Sequence, residues 1–350
     1  MRRPTIKDVA QEARCSLSTV SLVVNNRGYV SKETRERVLR VVKELGYHAT
    51  RSARGLASRT SGNVGFILRD DHFSQAEPFY TRVFLGAEFA AGEHGFYLLL
   101  ETIHHRFHEK DELPRFLLER NVDGIIVAGR VPTQFLAKVA RFGLPTVMVD
   151  FDVKRRRCPA VLIDNPFGAR AIVGHLIALG HRNIAFVSGD IDHPSLRERL
   201  EGYRESLSDH GVAERPELVD VGESDSRIAN GASAMKRLLQ HSPLPTAVFA
   251  ANDAMAIGCM QEIERAGLKV PDDVSVAGFD DIEVSALLHP PLTTVRVFKE
   301  ELGRQAAETL VEIIRGESST LVTKHVPAEL VVRQSTARAA ASRVLESAQG

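Results

Sequence analysis

Residues 5–24 read TIKDVAQEARCSLSTVSLVV, two short helical patterns joined by a tight break at Ala13-Arg14-Cys15. Thr5 precedes the helically spaced Ile6, Val9, Ala10 and Ala13 and has Asp8 three places on, a capping-box opening in which each residue satisfies the other's backbone N–H. Ser16 stands in the same relation to Leu17, Val20, Val23 and Val24. Ser31 does so to Val38, Leu39, Val41, Val42 and Leu45, and Gly46 is the expected stop of a third helix. Beyond it, residues 48–62, HATRSARGLASRTSG, are small, polar and basic around one large apolar residue, Leu56. That is a linker composition, at best a marginal helix in isolation.

From residue 63 the pattern changes to short apolar runs alternating with amphipathic stretches. Val64 to Leu68, Phe96 to Leu100, Gly124 to Ala128 and Thr146 to Val149 read as buried parallel strands. A second series follows at Val161 to Asp164, Ile184 to Ser188, Ala247 to Ala250 and Val274 to Gly278. Two such series predict an α/β chain with two lobes, each a doubly wound parallel sheet covered by helices on both faces. Ligands of such sheets bind beyond the carboxyl ends of strands, so the cleft between the lobes is the expected site.

The net charge of the 350 residues is zero, 45 Lys+Arg against 45 Asp+Glu, but the average conceals a division. Residues 1–62 carry 13 Lys+Arg and 5 Asp+Glu, which leaves the remainder acidic. A basic helical end on an acidic body points to nucleic acid at that end. No run of about 18 apolar residues occurs and Met1-Arg2-Arg3-Pro4-Thr5 lacks a signal-peptide core, so a cytoplasmic protein without membrane contact is expected. Cys15, Cys158 and Cys259 have no metal-ligand spacing and fit a reducing compartment. His104, His105 and His108 include an i, i+4 pair that could ligate metal on a helix. No Cys or paired acid completes a site in the sequence, so the triplet reads as a solvated loop, and neither metal nor cofactor is expected. G-x-S-x-G, G-x-x-x-x-G-K-[ST] and G-x-G-x-x-G are all absent, which argues against an enzyme on this fold.

Helix spacing alone is compatible with an ordinary helical hairpin. The residues themselves go further. Thr5-Ile6-Lys7-Asp8-Val9-Ala10, Ser16, Thr19-Val20-Ser21, Val24-Asn25, Val30-Ser31-Lys32-Glu33-Thr34-Arg35, Glu44-Leu45-Gly46-Tyr47 and Ala53-Arg54-Gly55-Leu56 resemble the amino-terminal signature of the lactose/galactose-repressor (LacI/GalR) family. The resemblance implies a helix-turn-helix reader in 1–48, a hinge in 49–61, a two-lobed effector-binding and dimerisation domain in 62–338, and a tail in 339–350. Lobe 1 is expected in about 62–163 and 292–322, and lobe 2 in about 164–291 and 323–338. It further implies base contacts from Leu17, Ser18 and Leu22. The hydroxyls of Thr5, Ser16, Thr19 and Ser21, with Asn25, suit phosphates. Leu56 either packs on the sensor or, as in the family, enters the minor groove from both halves of a dimer, with Arg51 and Arg54 close to phosphates. Two positions depart from the family. Leu22 lies where many relatives carry a long polar side chain, and Arg14-Cys15 replaces a Gly-Val turn.

The larger part is similar to the periplasmic-binding-protein-like domain of the same family, through Gly180-His181-Arg182-Asn183-Ile184-Ala185, Arg199-Leu200-Glu201-Gly202-Tyr203, Ala251-Asn252-Asp253-Ala254, Pro271-Asp272-Asp273-Val274 and Gly278-Phe279-Asp280-Asp281. Pro291-Leu292-Thr293-Thr294-Val295 is expected to be a strand returning to the first lobe. Asn252 and Asp280 directly follow apolar runs, Arg199 begins a helix, and Asp164 ends a strand, which makes them effector contacts in expectation, with Phe79 and Tyr80 stacking from the other lobe. Asp253 and Asp281 read as structural caps. The implied protein is a dimeric transcriptional regulator, a repressor in most of the family. It binds a palindromic DNA operator and answers to a small molecule, a sugar or sugar derivative first and a nucleobase or nucleoside second. The chain has no Trp, and Gly222-Glu223-Ser224-Asp225-Ser226 replaces a sugar-stacking ring found in several relatives.

Overall fold

The computed structural model describes residues 4–24, 28–47, 60–72, 79–153, 158–318 and 321–339. The chain divides into an amino-terminal unit ending at Asn63, joined by Arg120–Asp123, and a second unit made of the remainder. In the first unit α1 (Ile6–Glu12), α2 (Leu17–Val24) and α3 (Lys32–Glu44) bury Val9, Ala13, Val20, Val23, Val38 and Val41 against one another, with Tyr47 in the same core. Thr5 Oγ1 accepts the Asp8 N–H at 3.4 Å while the Asp8 carboxylate takes the Thr5 N–H at 2.6 Å, so the capping box forms as its spacing predicts. Ser16 Oγ accepts from Thr19 N at 3.0 Å and Ser31 Oγ from Thr34 N at 3.4 Å.

α1 and α3 end in the same two bonds. In α3 the Tyr47 N–H reaches Val42 O at 2.9 Å and the Gly46 N–H reaches Lys43 O at 3.2 Å, with Gly46 at φ +61°. In α1 they run from Cys15 to Ala10 at 3.0 Å and from Arg14 to Gln11 at 3.2 Å, with Arg14 at φ +47°. A side chain in that conformation costs roughly 1–2 kcal/mol, so the turn is strained where glycine would not be. Arg37 Nε donates to Ala13 O at 3.0 Å, and α3 thereby caps the carboxyl end of α1.

The second unit holds two parallel sheets. The first, in the order β11-β5-β4-β3-β1-β2, comprises β1 (Asn63–Arg69), β2 (Tyr97–Ile103), β3 (Gly124–Ala128), β4 (Thr146–Val149), β5 (Ala160–Ile163) and β11 (Thr323–Val326). Between these strands run α4 (Phe79–Glu93), α5 (Arg115–Leu118) and α6 (Thr133–Val139). The second sheet, ordered β7-β6-β8-β9, comprises β6 (Ile184–Val187), β7 (Val219–Asp220), β8 (Ala247–Ala250) and β9 (Ser275–Ala277), with α7 (Asn165–Ala178), α8 (Pro194–Asp209), α9 (Ile228–Leu238) and α10 (Asp253–Arg265) around it. Every residue of β3, β6 and β8 is buried, which is why these strands read as unbroken apolar runs rather than alternating ones.

β10 (Thr294–Val297) and β12 (Ala328–Val331) form an antiparallel ribbon, and α11 (Lys299–Arg315) lies between β10 and β11 in the chain. Here two sequence expectations need correction. The strand after Pro291 stays with the second lobe: Gly278 N donates to Thr293 O at 2.9 Å and Asp280 N to Val295 O at 2.8 Å, so β10 extends the open edge beyond β9. It is α11 that returns to the first lobe, packed on α4 so closely that a Cβ on Gly303 would fall 1.8 Å from Val83 O. Residues 323–326, expected in the second lobe, pair in parallel with β5 and belong to the first. Apolar patterning identifies a strand but not the edge at which it pairs.

Candidate nucleic-acid interface and effector cleft

α2 buries Val20 and Val23 and leaves Ser16, Leu17, Ser18 and Leu22 exposed, Leu17 at 45% and Leu22 at 37%. Two apolar side chains flanking a hydroxyl suit base edges, because leucine packs on a thymine methyl and serine bonds either donor or acceptor. The other hydroxyls already have local work. Thr5 serves the capping box, and Ser16 Oγ lies 2.8 Å from Thr19 Oγ1 while capping α2. Lys7, Arg14, Lys32, Arg40 and Lys43 are exposed on the same unit. Arg37–Glu33 and Arg40–Glu44 are 4.0 Å pairs at the surface, which release their cations to a phosphate at little cost. Asn25, Arg51, Arg54 and Leu56 lie outside the described residues.

In the second unit, Arg199 on α8 is the hub. Its Nε donates to Asn165 Oδ1 at 2.9 Å, one Nη to Ala251 O at 2.6 Å, and the other lies 3.3 Å from Asp280 Oδ1, while its plane stacks 3.7 Å above the Phe279 ring. The guanidinium thus ties together the start of α7, the end of β8 and the end of β9. Burial pushes the Asp280 carboxyl above its ordinary value, and the Arg199 and Lys299 charges oppose that shift. Asp280 holds φ +112°, and Lys299 Nζ donates to its carbonyl. Backbone strain at a largely buried carboxylate held by a buried cation is a combination that clusters at functional sites.

The first lobe meets this hub through Tyr80 and Asp150. Tyr80 donates to Asp150 Oδ2 at 2.7 Å, and Ser195 of α8 donates to Asp150 Oδ1 at 2.7 Å, so one carboxylate is shared by both lobes. Burial, reinforced by Asp150, pushes the Tyr80 phenol well above its ordinary value and keeps it a donor. At the rim Arg130 pairs with Asp190 at 3.1 Å. A cavity of about 220 Å³ opens alongside, lined among others by Phe79, Arg82, Ile282, Arg296, Phe298 and Lys299. Arg199 and Asp280 are not in its lining. Ligand pockets usually have about 300–1,000 Å³, so this cavity is small for a ligand pocket.

Arg199, Asp280 and Tyr80 therefore lie close together, and Phe79 packs edge-on to Tyr80 at 5.0 Å. Asp164 and Asn252 are engaged differently. Asp164 Oδ1 caps α7 through Phe167 N at 3.1 Å, and Asn252 Oδ1 caps α10 through Met255 N at 2.9 Å while its amide donates to Ser226 O at 3.0 Å. In a βαβ unit the end of a strand is also the start of a helix, so a polar residue there serves a cap as readily as a ligand. Asp253, expected to be a cap, is fully buried and accepts from Ile282 N at 2.9 Å, Ser285 Oγ at 2.6 Å and Thr294 Oγ1, tying the 281–285 turn and β10 to α10. Asp281 instead pairs with Arg296 at 2.8 Å and Arg333 at 2.6 Å. Asp150 and Ser195 were not anticipated from sequence. Asp150 directly follows the apolar run of β4, the signal that singled out Asp280.

His72 stacks on Tyr80 with ring centroids 4.9 Å apart, and its Nδ1 is buried. Burial, then the Arg69 charge, lowers its pKa from 6.5 to about 4. The folded value is depressed, so the neutral ring's contribution is fully present above pH 6.5 and is lost as pH falls towards 4. His72→Gln is expected to flatten the decline in sensor stability over that window by about 1–3 kcal/mol. Thermal midpoints of both proteins across pH 4–7.5 test this, and parallel curves would exclude His72 as the source.

Residues 5–50 match the model of the bacterial regulatory proteins of the lacI family, and residues 173–336 match the periplasmic binding protein-like domain. The chain is 36% identical over 338 residues to the HTH-type transcriptional regulator CelR of Thermobifida fusca, covering 95% of this chain and 98% of that protein. Among solved structures it is similar to a complex of the transcriptional regulator CelR with cellobiose, at 34% identity and a TM-score of 0.72, covering 95% of this chain and 100% of that one. The Lac repressor dimer bound to operator and the anti-inducer ONPF superimposes with a TM-score of 0.81 at 29% identity, covering 96% and 100%.

Proposed function

This chain belongs to the lacI family of bacterial regulatory proteins, DNA-binding transcriptional regulators rather than enzymes, and from that premise we propose that it is a cytoplasmic repressor. In this reading it binds a palindromic operator as a homodimer and responds to a sugar or sugar derivative between its lobes. Residues 1–48 are the reader, 49–61 the hinge and 62–338 the sensor. Leu17, Ser18 and Leu22 read bases; Thr5, Ser16, Thr19, Ser21, Asn25, Arg51 and Arg54 hold the backbone, and Leu56 is the minor-groove wedge. No helix among the described residues is long and apolar enough to cross a membrane.

The observation that carries the sensor assignment is the Arg199–Asp280 pair set opposite Tyr80 and Asp150. A fixed carboxylate that accepts from hydroxyls, beside a donor fork and an aromatic face, matches the groups of a sugar ring. The CelR–cellobiose complex supports a sugar; a nucleoside is the second reading. A dimer is supported by Leu85 and Phe89 on α4 and Tyr97 and Leu100 on β2, large apolar side chains exposed around one edge of the first sheet. Effector binding shifts the balance of lobe arrangements, and two paired readers on a two-fold site convert that shift into a change in operator affinity.

The test is selection of duplex DNA by the full-length protein, followed by anisotropy titration of the selected site against monosaccharides, disaccharides and nucleosides. A two-fold-symmetric sequence should emerge, preferred over random duplex by about a thousandfold or more. One ligand class should change its affinity at least about tenfold without being consumed. A selection that yields no symmetric site, or a ligand that is chemically converted, would overturn the assignment.

A further inference from the structure

The histidines 104, 105 and 108 have no part in the function above. The structure places His104 and His105 in the loop immediately after β2, and Asp70 immediately after β1, the neighbouring strand of the first sheet. The acid missing from the sequence pattern thus arrives from another strand. His105 Nδ1 lies 3.4 Å from Asp70 Oδ1 and His104 Nε2 lies 4.0 Å from Asp70 Oδ2. One ligand atom from each of the three lies within 4.8 Å of the others. His108 takes a different partner, Asp111, at 3.6 Å.

We propose that Asp70, His104 and His105 form a binding site for a divalent transition-metal cation of the zinc type. Two imidazoles and one carboxylate suit zinc, nickel or cobalt, and are a poor set for magnesium or calcium, which take oxygen ligands. Ligands about 2.0–2.2 Å from a zinc ion stand roughly 3.3–3.5 Å from one another, so the His105–Asp70 separation already fits, His104 must close on Asp70 by under an ångström, and all three ligand atoms start within 4.8 Å of one another. All three side chains are exposed, and water completes the shell. Asp70 is placed in advance, because its Oδ1 accepts the Asp71 N–H at 2.9 Å and the His105 N–H at 3.1 Å. His104 Nδ1 accepts the Arg106 N–H at 3.1 Å and gives up that bond on ligation, the exposed amide turning to water. The bound ion would tie the ends of β1 and β2 together two residues before His72.

The experiment is competition between the full-length protein and a chromophoric chelator for zinc, with magnesium as the control ion. One zinc per chain is expected in a site that magnesium does not occupy. Asp70→Asn and the double variant His104→Gln/His105→Gln should each weaken it at least tenfold, while His108→Gln changes it less than threefold. Circular dichroism of each variant without metal verifies that it is folded. Zinc should raise the thermal midpoint of the wild type and leave that of the double variant unmoved. Undiminished binding by Asp70→Asn and the double variant, or a loss in His108→Gln equal to theirs, would overturn the site.

Discussion

Between about 50 and 200 mM salt, DNA affinity is expected to fall by roughly three to five decades, the cost of releasing the counterions displaced by about 6 to 10 phosphate contacts. The expectation rests on where the charge lies. Residues 1–62 hold 13 Lys+Arg against 5 Asp+Glu, whereas the whole chain is neutral. The remainder of the chain is acidic, so the slope of log affinity against log salt is expected to count chiefly the cations of residues 1–62. Removing exposed cations one at a time, as in Arg14→Ala or Lys43→Ala, should lower that slope by up to about one each where the residue meets a phosphate, and by nothing where it does not. Anisotropy titrations of operator and random duplex over the salt series measure it. A slope near zero would remove DNA binding from this end of the chain.

Arg199→Met is expected to destabilise the sensor by about 3–5 kcal/mol, because it leaves the largely buried Asp280 carboxylate without its paired cation and with only the Lys299 charge to oppose its burial. In a unit of this size that corresponds to a fall of order 10 °C in the thermal midpoint. The size of the effect follows from geometry. Every N–H direction used by Arg199 ends on an acceptor from a different segment, Asn165, Ala251 or Asp280, so its loss strands three acceptors and frees the Phe279 face. Asp280→Asn in the Arg199→Met background should recover a substantial part of the loss, since the unpaired carboxylate charge is then removed. A double-mutant cycle on thermal midpoints measures the coupling. Additive losses would mean that Arg199 acts through packing and its two neutral acceptors, and that Asp280 is not held by it.

These expectations differ in how early they become visible. The reader's caps are legible in the sequence because Thr5 with Asp8, Ser16 with Thr19 and Ser31 with Thr34 are each bonded across three residues, and a helical start leaves no other geometry for them. The parallel strands are legible for a related reason: a strand buried on both faces must be apolar at every position. Nothing local says which strands are neighbours. β10 pairs with β12 and β11 with β5 because open edges lie there in the packed lobes, and those edges exist only after the rest has folded. The cleft divides in the same way. Arg199, Asp280 and Tyr80 can be named from their positions at element ends, as could Asp150 by the same rule. Asp164 and Asn252 carry the same signal and cap helices. Arg199 bonds Asn165 across 34 residues and Ala251 across 52, and His105 meets Asp70 across 35. A side chain's chemistry belongs to the chain as written, but whether its donors and acceptors are spent or free depends on partners that folding brings from tens of residues away.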